Sequence, residues 1–333
     1  MEAFHSDDLF PFTATRLLPE IRIGILTLRE KWRRYFPGMT DAEINEGPAG
    51  FPVNVLPTQA LMEGRGEAWK EKALYLTHPW DLFRLNAVAL ADDFALLTRG
   101  RRSAPLPSFV QAINPESIFV EEGATLFPCI LNASAGPVYI GKNAEIMEGS
   151  LIRGPFAACE GAVVKMGTRI YGATTLGPYS VVGGEVKNSI LFGYSNKGHD
   201  GYLGDAVIGE WCNLGAGTSN SNLKNNAGEV KVWDQRSGKL IPAGTKCGLL
   251  MGDYSRCAIN TSFNTGTVVG ICCNIFGEGL TPKFIPSFSW GHRGSSKYEL
   301  EKSLRDIANW KKLKNQQLTE AEIRDIQAIF EKS

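Results

Sequence analysis

The apolar residues in the middle of the chain recur at every sixth position. From residue 140 onwards these positions hold Ile140, Ile146, Ile152, Ala158, Val164, Ile170, Leu176 and Val182. A period of six matches neither the 3.6-residue turn of an α-helix nor the two-residue alternation of a half-buried strand. It is typical of a parallel β-helix, in which three short strands make one coil of about 18 residues and each strand turns an aliphatic side chain inward.

The repeat is interrupted twice. After Val182 its phase slips by two residues, and it resumes at Ile190, Tyr202, Ile208 and Leu214. Between Leu214 and Ile259 it disappears, and an alternating stretch around Arg236-Ser237-Gly238 predicts a hairpin or loop that leaves the β-helix. Interruptions of a repeat usually mark loops on the binding face, so the phase slip is the first place to look for chemistry.

The sequence on either side of the repeat has a different pattern. Residues 1–105 lack the six-residue period and contain two helix-like stretches, Ile21 to Phe36 and Pro79 to Phe94. The tail from Ser295 has helical periodicity and a capping box at Thr319 to Glu322. We therefore predict a mostly β protein: a short, divergent α/β domain (1–105), a left-handed parallel β-helix of hexapeptide repeats (106–290) and a C-terminal helical cap (291–333).

Composition and charge exclude several classes of function. The 333 residues include 35 basic and 35 acidic ones, so the net charge of zero argues against non-specific nucleic-acid binding and gives no electrostatic reason for membrane binding. No apolar run approaches the ~20 residues that span a bilayer. The seven cysteines form no C-x-x-C pair, and no His/Cys cluster has metal-ligand spacing. We expect reduced thiols, a cytoplasmic protein and no metal site.

Two features near the phase slip carry candidate chemistry. His199, one of four histidines, stands between Gly198 and Gly201 in a polar stretch at the phase slip, and this setting favours a functional role. Arg169 and Lys187 are separated by one nominal coil, so we expect them to stack about 4.8 Å apart on one face. Like charges so placed repel each other, and a phosphate group is a natural ligand for both. The alternatives are a hydrogen-bonded structural histidine and two cations that splay into solvent.

Residues 164–222 carry motifs that are much more specific than the repeat. They include Arg169 to Ala173, Glu185 to Asn188, Lys197-Gly198-His199, Tyr202 to Ala206, and Asn213 to Thr218, with Asn222 at the end. With this spacing, the segment resembles the acetyltransferase half of the bifunctional N-acetylglucosamine-1-phosphate uridyltransferase/glucosamine-1-phosphate acetyltransferase family. The resemblance implies an acyltransferase that N-acetylates an amino-sugar 1-phosphate or a nucleotide sugar with acetyl-CoA as co-substrate. It also implies a homotrimer with its sites between subunits.

The same resemblance implies roles for the matching residues at the reacting centre and around the acceptor. His199 would be the general base for the attacking amine, and Asn222 would hydrogen-bond at the reacting centre. The acceptor would be held by four side chains: Arg169 and Lys187 on its phosphate, and Tyr202 and Asn213 on its sugar.

The coenzyme contacts implied by the resemblance lie further along the chain. Ala216 would line the acetyl-CoA slot through its backbone, with Gly252 as a second coenzyme contact. The chain departs from the family directly after Asn222. The family has Asn-Tyr-Asp-Gly at this point, whereas this chain has Asn222-Leu223-Lys224-Asn225, and residues 231–245 are an insertion.

The N-terminal residues resemble the nucleotidyltransferase half of the same two-domain proteins. The residues that carry this resemblance are Leu9 to Thr13, Thr15-Arg16, Ile21 to Trp32 and Pro79 to Asn86. Active members carry a glycine-rich loop, L-x-x-G-x-G-T-R-M, whose N–H groups bind nucleotide phosphates, and nothing in residues 1–16 matches it. Two alternatives stay open beside acyl transfer. One is a sugar-1-phosphate nucleotidyltransferase of the thymidylyl or uridylyl type, which needs Mg²⁺, and the other is a non-catalytic trimeric scaffold that binds a sugar nucleotide.

Overall fold

The computed structural model describes residues 4–64, 68–294 and 296–333. It confirms a mostly β protein built on a parallel β-solenoid of about ten turns. Each coil contributes up to three short strands, and each strand pairs in parallel with the strand of the next coil. The predicted domain limits at 105 and 290 stay a prediction.

Three stacks of strands form the three faces. The first face consists of β1 (Gln111–Ile113), β4 (Ile130–Asn132), β7 (Leu151–Arg153), β10 (Arg169–Tyr171), the starts of β13 (Glu185–Gly193) and β15 (Tyr202–Glu210), β17 (Ser219–Asn220) and β22 (Ser262–Phe263). The second face consists of β2 (Ile118–Val120), β5 (Val138–Ile140), β8 (Phe156–Ala158), β11 (Thr174–Leu176), the later parts of β13 and β15, β20 (Leu250–Met251), β23 (Val268–Val269) and β25 (Phe284–Ile285). The third face consists of β3 (Thr125–Leu126), β6 (Glu145–Ile146), β9 (Val163–Val164), β12 (Val181–Val182), β14 (Asn196–Lys197), β16 (Asn213–Leu214), β21 (Arg256–Cys257), β24 (Asn274–Ile275) and β26 (Ser289–Trp290), with β27 (Ser296–Lys297) antiparallel at its end.

The inner side chains of the coils form one apolar core. It includes Ile140, Ile146, Ile152, Ala158, Val164, Ile170, Leu176, Val182, Ile208 and Leu214, all at predicted repeat positions. The predicted positions Ile190 and Tyr202 are wrong, because Leu191 and Leu203 enter the core in their place. Burying one such aliphatic chain fully stabilises the fold by about 1.5–3 kcal/mol. A single coil cannot bury its own inner face, so this gain exists only where a coil has neighbours.

The coils differ in length, and the phase slip is a shortened coil. Val164 pairs with Val182, three hexads further along the chain, as a regular coil requires. Val182 then pairs with Lys197, which follows it by fewer residues than the three hexads of a regular coil. On the first face, Ile170 likewise pairs with Val186 before a full coil has passed. The missing residues therefore come from the corners of this coil, while its strands keep their register.

The second interruption is a coil with an inserted hairpin, as predicted. Leu214 pairs with Cys257, more than two regular coil lengths further along the chain. The added residues include β18 (Lys231–Asp234) and β19 (Lys239–Pro242), which pair antiparallel. Backbone hydrogen bonds from Cys247 N–H to the Asn222 carbonyl (3.0 Å) and from Gly248 N–H to the Asp205 carbonyl (2.8 Å) close the base of the insertion.

The described residues before 105 are mainly helices and loops. Short 3-10 helices cover Ser6–Leu9, Leu18–Glu20 and Pro48–Gly50, and a further one covers Pro115–Ser117 before β2. The α-helices are α1 (Leu28–Tyr35), α2 (Asp41–Glu46), α3 (Gln59–Met62), α4 (Trp69–Lys72) and α5 (Asp81–Thr98). β pairing in this described part is limited to the isolated bridges Arg22–Thr27 and Val55–Tyr75. The helix expected from Ile21 begins only at Leu28, because Thr27 and Glu30 form a capping box there.

The N-terminal segment packs on the outer side of the second face. Asn86 of α5 is fully buried in this contact. Its Oδ1 accepts from Gly24 N–H (2.7 Å), and its Nδ2 donates to the Ala173 carbonyl (3.0 Å) and to Thr175 Oγ1 (3.2 Å). One side chain thereby joins α5, the loop before α1 and the β-helix.

A buried ion pair lies beside this contact. Lys31 of α1 bonds Asp93 of α5, and neither side chain is exposed. The N–H groups of Ile25 and Leu26 also donate to Asp93, at 2.7 and 3.0 Å. Burial raises the pKa of Asp93 and lowers that of Lys31, while the pairing opposes both shifts. Removing either partner alone leaves an uncompensated buried charge.

Thr15-Arg16, part of the N-terminal resemblance, also contacts the β-helix. The Thr15 hydroxyl and Arg16 Nη2 both donate to the carboxylate of Asp253. Arg16 Nη1 lies 3.6 Å from Glu210 Oε1, and the guanidinium carbon lies 5.2 Å from the centre of the Phe192 ring. The guanidinium of Arg16 therefore packs among residues of the β-helix.

The C-terminal helices α6 (Leu300–Lys312) and α7 (Glu320–Lys332) cover the corner between the second and third faces. Ser295, where the helical tail was expected to begin, lies outside the described residues. A column of corner residues with left-handed φ follows this edge: Tyr179, Tyr194, Trp211, Tyr254, Cys272 and Phe288. Tyr194 stacks on Tyr179 and on Trp211, with ring centres 5.2 and 4.3 Å apart. Such backbone costs about 1–3 kcal/mol per residue, which aromatic stacking of about 0.5–1.5 kcal/mol per pair partly offsets.

Replacing Asn86 with Ala tests the attachment of the N-terminal segment. The change leaves Gly24 N–H and the Ala173 carbonyl buried without their partner, so we expect a loss of about 3 kcal/mol in the free energy of unfolding. Urea titration measures it. The control is Val88→Ala on the exposed side of α5, where we expect a change below about 0.5 kcal/mol. Equal effects of the two substitutions would contradict the proposed anchoring by Asn86.

Candidate functional site

His199 lies in the corner that leads from the third face to the first, two residues after β14. Its side chain is exposed. The corner is held from both neighbouring coils, because Gly217 N–H donates to the Asp200 carbonyl (3.0 Å) and Glu185 N–H donates to the Gly201 carbonyl (3.2 Å). Gly201 has φ +119°, and a Cβ there would lie 2.1 Å from the Thr218 carbonyl oxygen, so only glycine fits.

Lys197 precedes this corner and points into the β-helix. Its side chain is 2% exposed although the neighbouring coils place Val182 and Leu214 at the equivalent position. Its Nζ donates to the Gly183 carbonyl (3.0 Å) and to the carbonyl of His199 itself. Burial lowers the pKa of Lys197 to about 8, against an opposing effect of Asp200.

The structure places Arg169 and Lys187 on the first face, but not in a stack of like charges. Because the coil is shortened, Arg169 pairs with Glu185 and Lys187 pairs with Tyr171, so the predicted stacking is wrong. Arg169 Nε lies 4.0 Å from Glu185 Oε2, and Lys187 Nζ lies 3.8 Å from Asp205 Oδ2. The Tyr171 hydroxyl donates to Glu185 (2.6 Å), and this bond raises the pKa of Tyr171 to about 12.

Asp205 is the centre of a polar ladder along the edge of the first face. The side-chain amide of Asn188 donates to Asp205 Oδ1 (2.7 Å), and that of Asn222 donates to Oδ2 and lies 3.1 Å from the Tyr202 hydroxyl. Burial, followed by the charge of Asp205, raises the pKa of Tyr202. A Cβ at Gly204 would lie 2.1 Å from the Tyr202 hydroxyl, so the absence of a side chain there makes room for the phenol. The structure thus brings Tyr202 and Asn222 together.

Sequence reasoning gave no role to Asn188, Asp205 or Lys197. For the first two a signal is present, since Asn188, Asp205 and Asn222 follow each other at intervals of 17 residues. That interval is the length of these coils, so a side chain recurs at the same corner. For Lys197 the signal is a charged residue at a position that the coils before and after fill with aliphatics.

A groove of about 420 Å³ lies on the first face below the ladder. Its lining includes Arg153, Arg169, Tyr171 and Glu185, together with apolar side chains such as Leu151. Arg169 therefore lines the groove and also begins a row of paired residues on the first face, in which Arg169 pairs with Glu185 and Glu185 pairs with Tyr202. Two guanidinium groups at an open groove are suited to a phosphorylated ligand.

Asn213 lies on the third face, away from this group. It pairs with Arg256, and both line a cavity of about 320 Å³ under α6. The guanidinium carbon of Arg256 lies 5.5 Å from the centre of the Trp310 ring. Within one chain, a corner of the β-helix separates Asn213 from Tyr202.

The two predicted coenzyme contacts lie at different corners. Ala216 is in the corner one coil above His199, where its carbonyl accepts from Asn260 N–H (2.7 Å). Gly252 is buried at the corner between the second and third faces, where an added Cβ would lie 2.9 Å from Pro11. The structure brings Ala216 towards His199 and leaves Gly252 under the N-terminal segment.

Two further features are absent from residues 4–64, 68–294 and 296–333. No helix in these ranges combines the length and the apolar character needed to cross a membrane. The same ranges contain no group of three or more His, Cys, Asp and Glu side chains that could hold a metal ion.

Comparison with known proteins gives a match to one family profile and matches to curated bifunctional proteins. The profile of the family described as sugar nucleotidyl transferase matches residues 2–46. The bifunctional protein GlmU of Methanocaldococcus jannaschii is 37% identical over 103 residues, which cover 31% of this chain and 25% of the relative. The bifunctional sugar-1-phosphate nucleotidylyltransferase/acetyltransferase of Sulfurisphaera tokodaii is 39% identical over 93 residues, 28% of this chain and 23% of the relative.

A longer match exists with the bifunctional protein GlmU of Thermus thermophilus. It is 30% identical over 223 residues, which cover 54% of this chain and 48% of the relative. The chain thus spans between a quarter and about half of the length of these curated relatives. The resemblance to the bifunctional uridyltransferase/acetyltransferase family that the motifs predict is confirmed.

The buried Lys197 predicts a pH dependence of stability. Its pKa is about 8 in the fold and 10.5 without the fold, so between these values the unfolded chain binds the extra proton. The destabilisation by Lys197 is therefore fully present below about pH 8 and is lost as the pH rises towards about 10.5. We expect the free energy of unfolding of the wild type, minus that of Lys197→Met, to rise between pH 7 and pH 10 in urea titrations. A difference that stays flat across this range would contradict the buried ammonium.

Proposed function

We propose that the chain is an acyltransferase that moves the acetyl group of acetyl-CoA to the amine of an amino-sugar 1-phosphate or a nucleotide sugar. The single observation that carries the proposal is the exposed His199 in a corner hydrogen-bonded to both neighbouring coils, at the edge of a face that presents Arg169, Lys187, Tyr202 and Asn222. The sequence similarity to bifunctional proteins of this class supports it. The resemblance also leads us to propose a homotrimer, with Asn213 contributed from a neighbouring subunit.

In the proposed reaction the imidazole of His199 acts as a base on the amine of the acceptor sugar. The amine nitrogen attacks the thioester carbonyl carbon, a C–N bond forms, and the C–S bond breaks. His199 takes the proton that the amine loses and returns it to the departing sulfur, so that the free thiol of CoA is released. In this proposal Asn222, whose amide donates to Asp205, hydrogen-bonds at the reacting centre.

The acceptor is held on the first face. The groove of about 420 Å³ accommodates the sugar, and Arg169 with Lys187 supplies the positive charge for its phosphate. Both cations already lie beside carboxylates, Glu185 and Asp205, at 4.0 and 3.8 Å. The carboxylates keep the cations in place before substrate binds, and a phosphate adds a second anionic partner. Ala216, one coil above His199, is our candidate for the coenzyme slot.

A nucleotidyltransferase is the second candidate, because residues 2–46 match the sugar nucleotidyl transferase family. Such an activity would require Mg²⁺ to bind the nucleotide phosphates. Against it stands Arg16, which is buried and bonded to Asp253 rather than free for a phosphate. Release of pyrophosphate from a nucleoside triphosphate and a sugar 1-phosphate, dependent on Mg²⁺, would favour this candidate.

Thiol release from acetyl-CoA with glucosamine 1-phosphate tests the base. We expect His199→Ala to lower kcat by roughly 10²–10⁴-fold, the usual contribution of a general base. The control is His292→Ala, a histidine in the last coils, which we expect to keep the wild-type rate. Undiminished thiol release in His199→Ala would remove His199 from the mechanism. A wild type inactive towards a panel of amino-sugar phosphates would favour a non-catalytic scaffold.

Substitution of the two cations tests the acceptor site. Arg169→Met and Lys187→Met each remove a charge that binds ground state and transition state alike. We therefore expect KM for glucosamine 1-phosphate to rise roughly tenfold, the effect of about 1.4 kcal/mol, with kcat nearly unchanged. The matched measurement uses glucosamine without its phosphate, for which KM stays constant. Equal losses for both acceptors would mean that the two side chains do not contact the phosphate.

A further inference from the structure

Lys197 occupies a position that the architecture reserves for apolar side chains. Its neighbours in the inner column are Val182 on the preceding coil and Leu214 on the following one. All three side chains are at most 3% exposed. A buried ammonium costs free energy that an aliphatic chain would not, so the fold alone gives no reason for a lysine at this place.

The hydrogen bonds of Lys197 connect two successive corners. The Gly183 carbonyl belongs to the corner below, and the His199 carbonyl belongs to the corner that carries the imidazole. The Lys197 carbonyl in turn accepts from Gly183 N–H (2.7 Å). The coil between these corners is the shortened one, which runs from Val182 to Lys197. The ammonium thereby supplies donors for two carbonyls at the two ends of the shortened coil.

We propose that Lys197 is a positioning residue that fixes the backbone of His199, and with it the imidazole, from inside the β-helix. The inference rests on the proposed role of His199 as the base. Lys197 does not touch the substrate, because its side chain lies in the interior while that of His199 is exposed. Its effect on the reaction passes entirely through the orientation of His199.

Lys197→Met and Lys197→Leu remove the donors and keep an apolar side chain, nearly as long as that of lysine in Met and shorter in Leu. Leu is the residue that the next coil carries at this position, so both variants are compatible with the fold. We expect kcat for thiol release to fall roughly tenfold to a hundredfold, the effect of misplacing a catalytic group by about 1 Å, with little change in KM. An unchanged kcat in both variants would overturn the proposal.

A double-mutant cycle separates positioning from a general structural role. If Lys197 acts through His199, then Lys197→Met has no further effect on the residual rate of His199→Ala. If the two losses multiply, Lys197 acts independently of His199 and the proposal fails. The matched control is Lys311→Met, which removes another buried lysine, one that pairs with Glu322. We expect this control to lower stability while leaving kcat unchanged.

Amide hydrogen exchange provides a readout that does not depend on activity. The N–H groups of Gly217 and Glu185 bond the carbonyls of Asp200 and Gly201 in the His199 corner. We expect both amides to exchange faster in Lys197→Met, with protection of the earlier coils unchanged. If the wild type is active and Lys197→Met changes neither kcat nor the amide exchange rates, the positioning role of Lys197 is refuted and the proposed function stands. A wild type without acetyl transfer would instead refute the proposed function, and the exchange rates would still decide whether Lys197 holds the corner.

Discussion

Every coil of this β-helix can bury its inner side chains only against the coil before it and the coil after it. The register of neighbouring coils is therefore the constraint on which the rest of the structure depends. Inner positions must coincide even where the number of residues per coil changes, as it does at Val182 and Lys197. Because the inner positions stay in register, residues are lost or added at the corners between strands. The candidate site uses two of these corners, one with His199 and one with the ladder centred on Asp205.

Outer surfaces are divided between three uses. The second face is covered by the N-terminal segment through Asn86 and Arg16. The edge between the second and third faces is covered by α6 and α7. The first face keeps its groove and its row of charged side chains open. The first face is therefore open, and Arg169, Lys187 and Tyr202 of the specific sequence motifs lie on it.

The regular part of the fold was predictable because a six-residue period is typical of a parallel β-helix, and Ile140, Ile152 and Ile170 all enter the core as expected. The hairpin followed from its alternation and turn residues. Prediction failed where the chain is irregular. A coil of regular length places Arg169 on Lys187, whereas the shortened coil places it on Glu185, since register depends on corner lengths that no periodicity reports. Gly252 is likewise separate from His199, because it follows β20 at the corner between the second and third faces, whereas His199 follows β14 at the corner between the third and first faces. The roles assigned to the site residues stay predictions.

The column of corner residues with left-handed φ, together with the C-terminal segment that covers it, affects the cooperativity of unfolding. In a simple solenoid each repeat contacts only its neighbours, so unfolding can stop between any two coils. Here Lys314 Nζ donates to the Tyr179 carbonyl and to Asn196 Oδ1. Glu322 of α7 accepts from the hydroxyl of Tyr254, which lies two coils or more from Tyr179 and Asn196. The C-terminal segment therefore links coils that do not touch each other. Partial unravelling from the C-terminal end would break all these contacts at once, which makes the later coils and the helices one unit rather than a row of independent repeats.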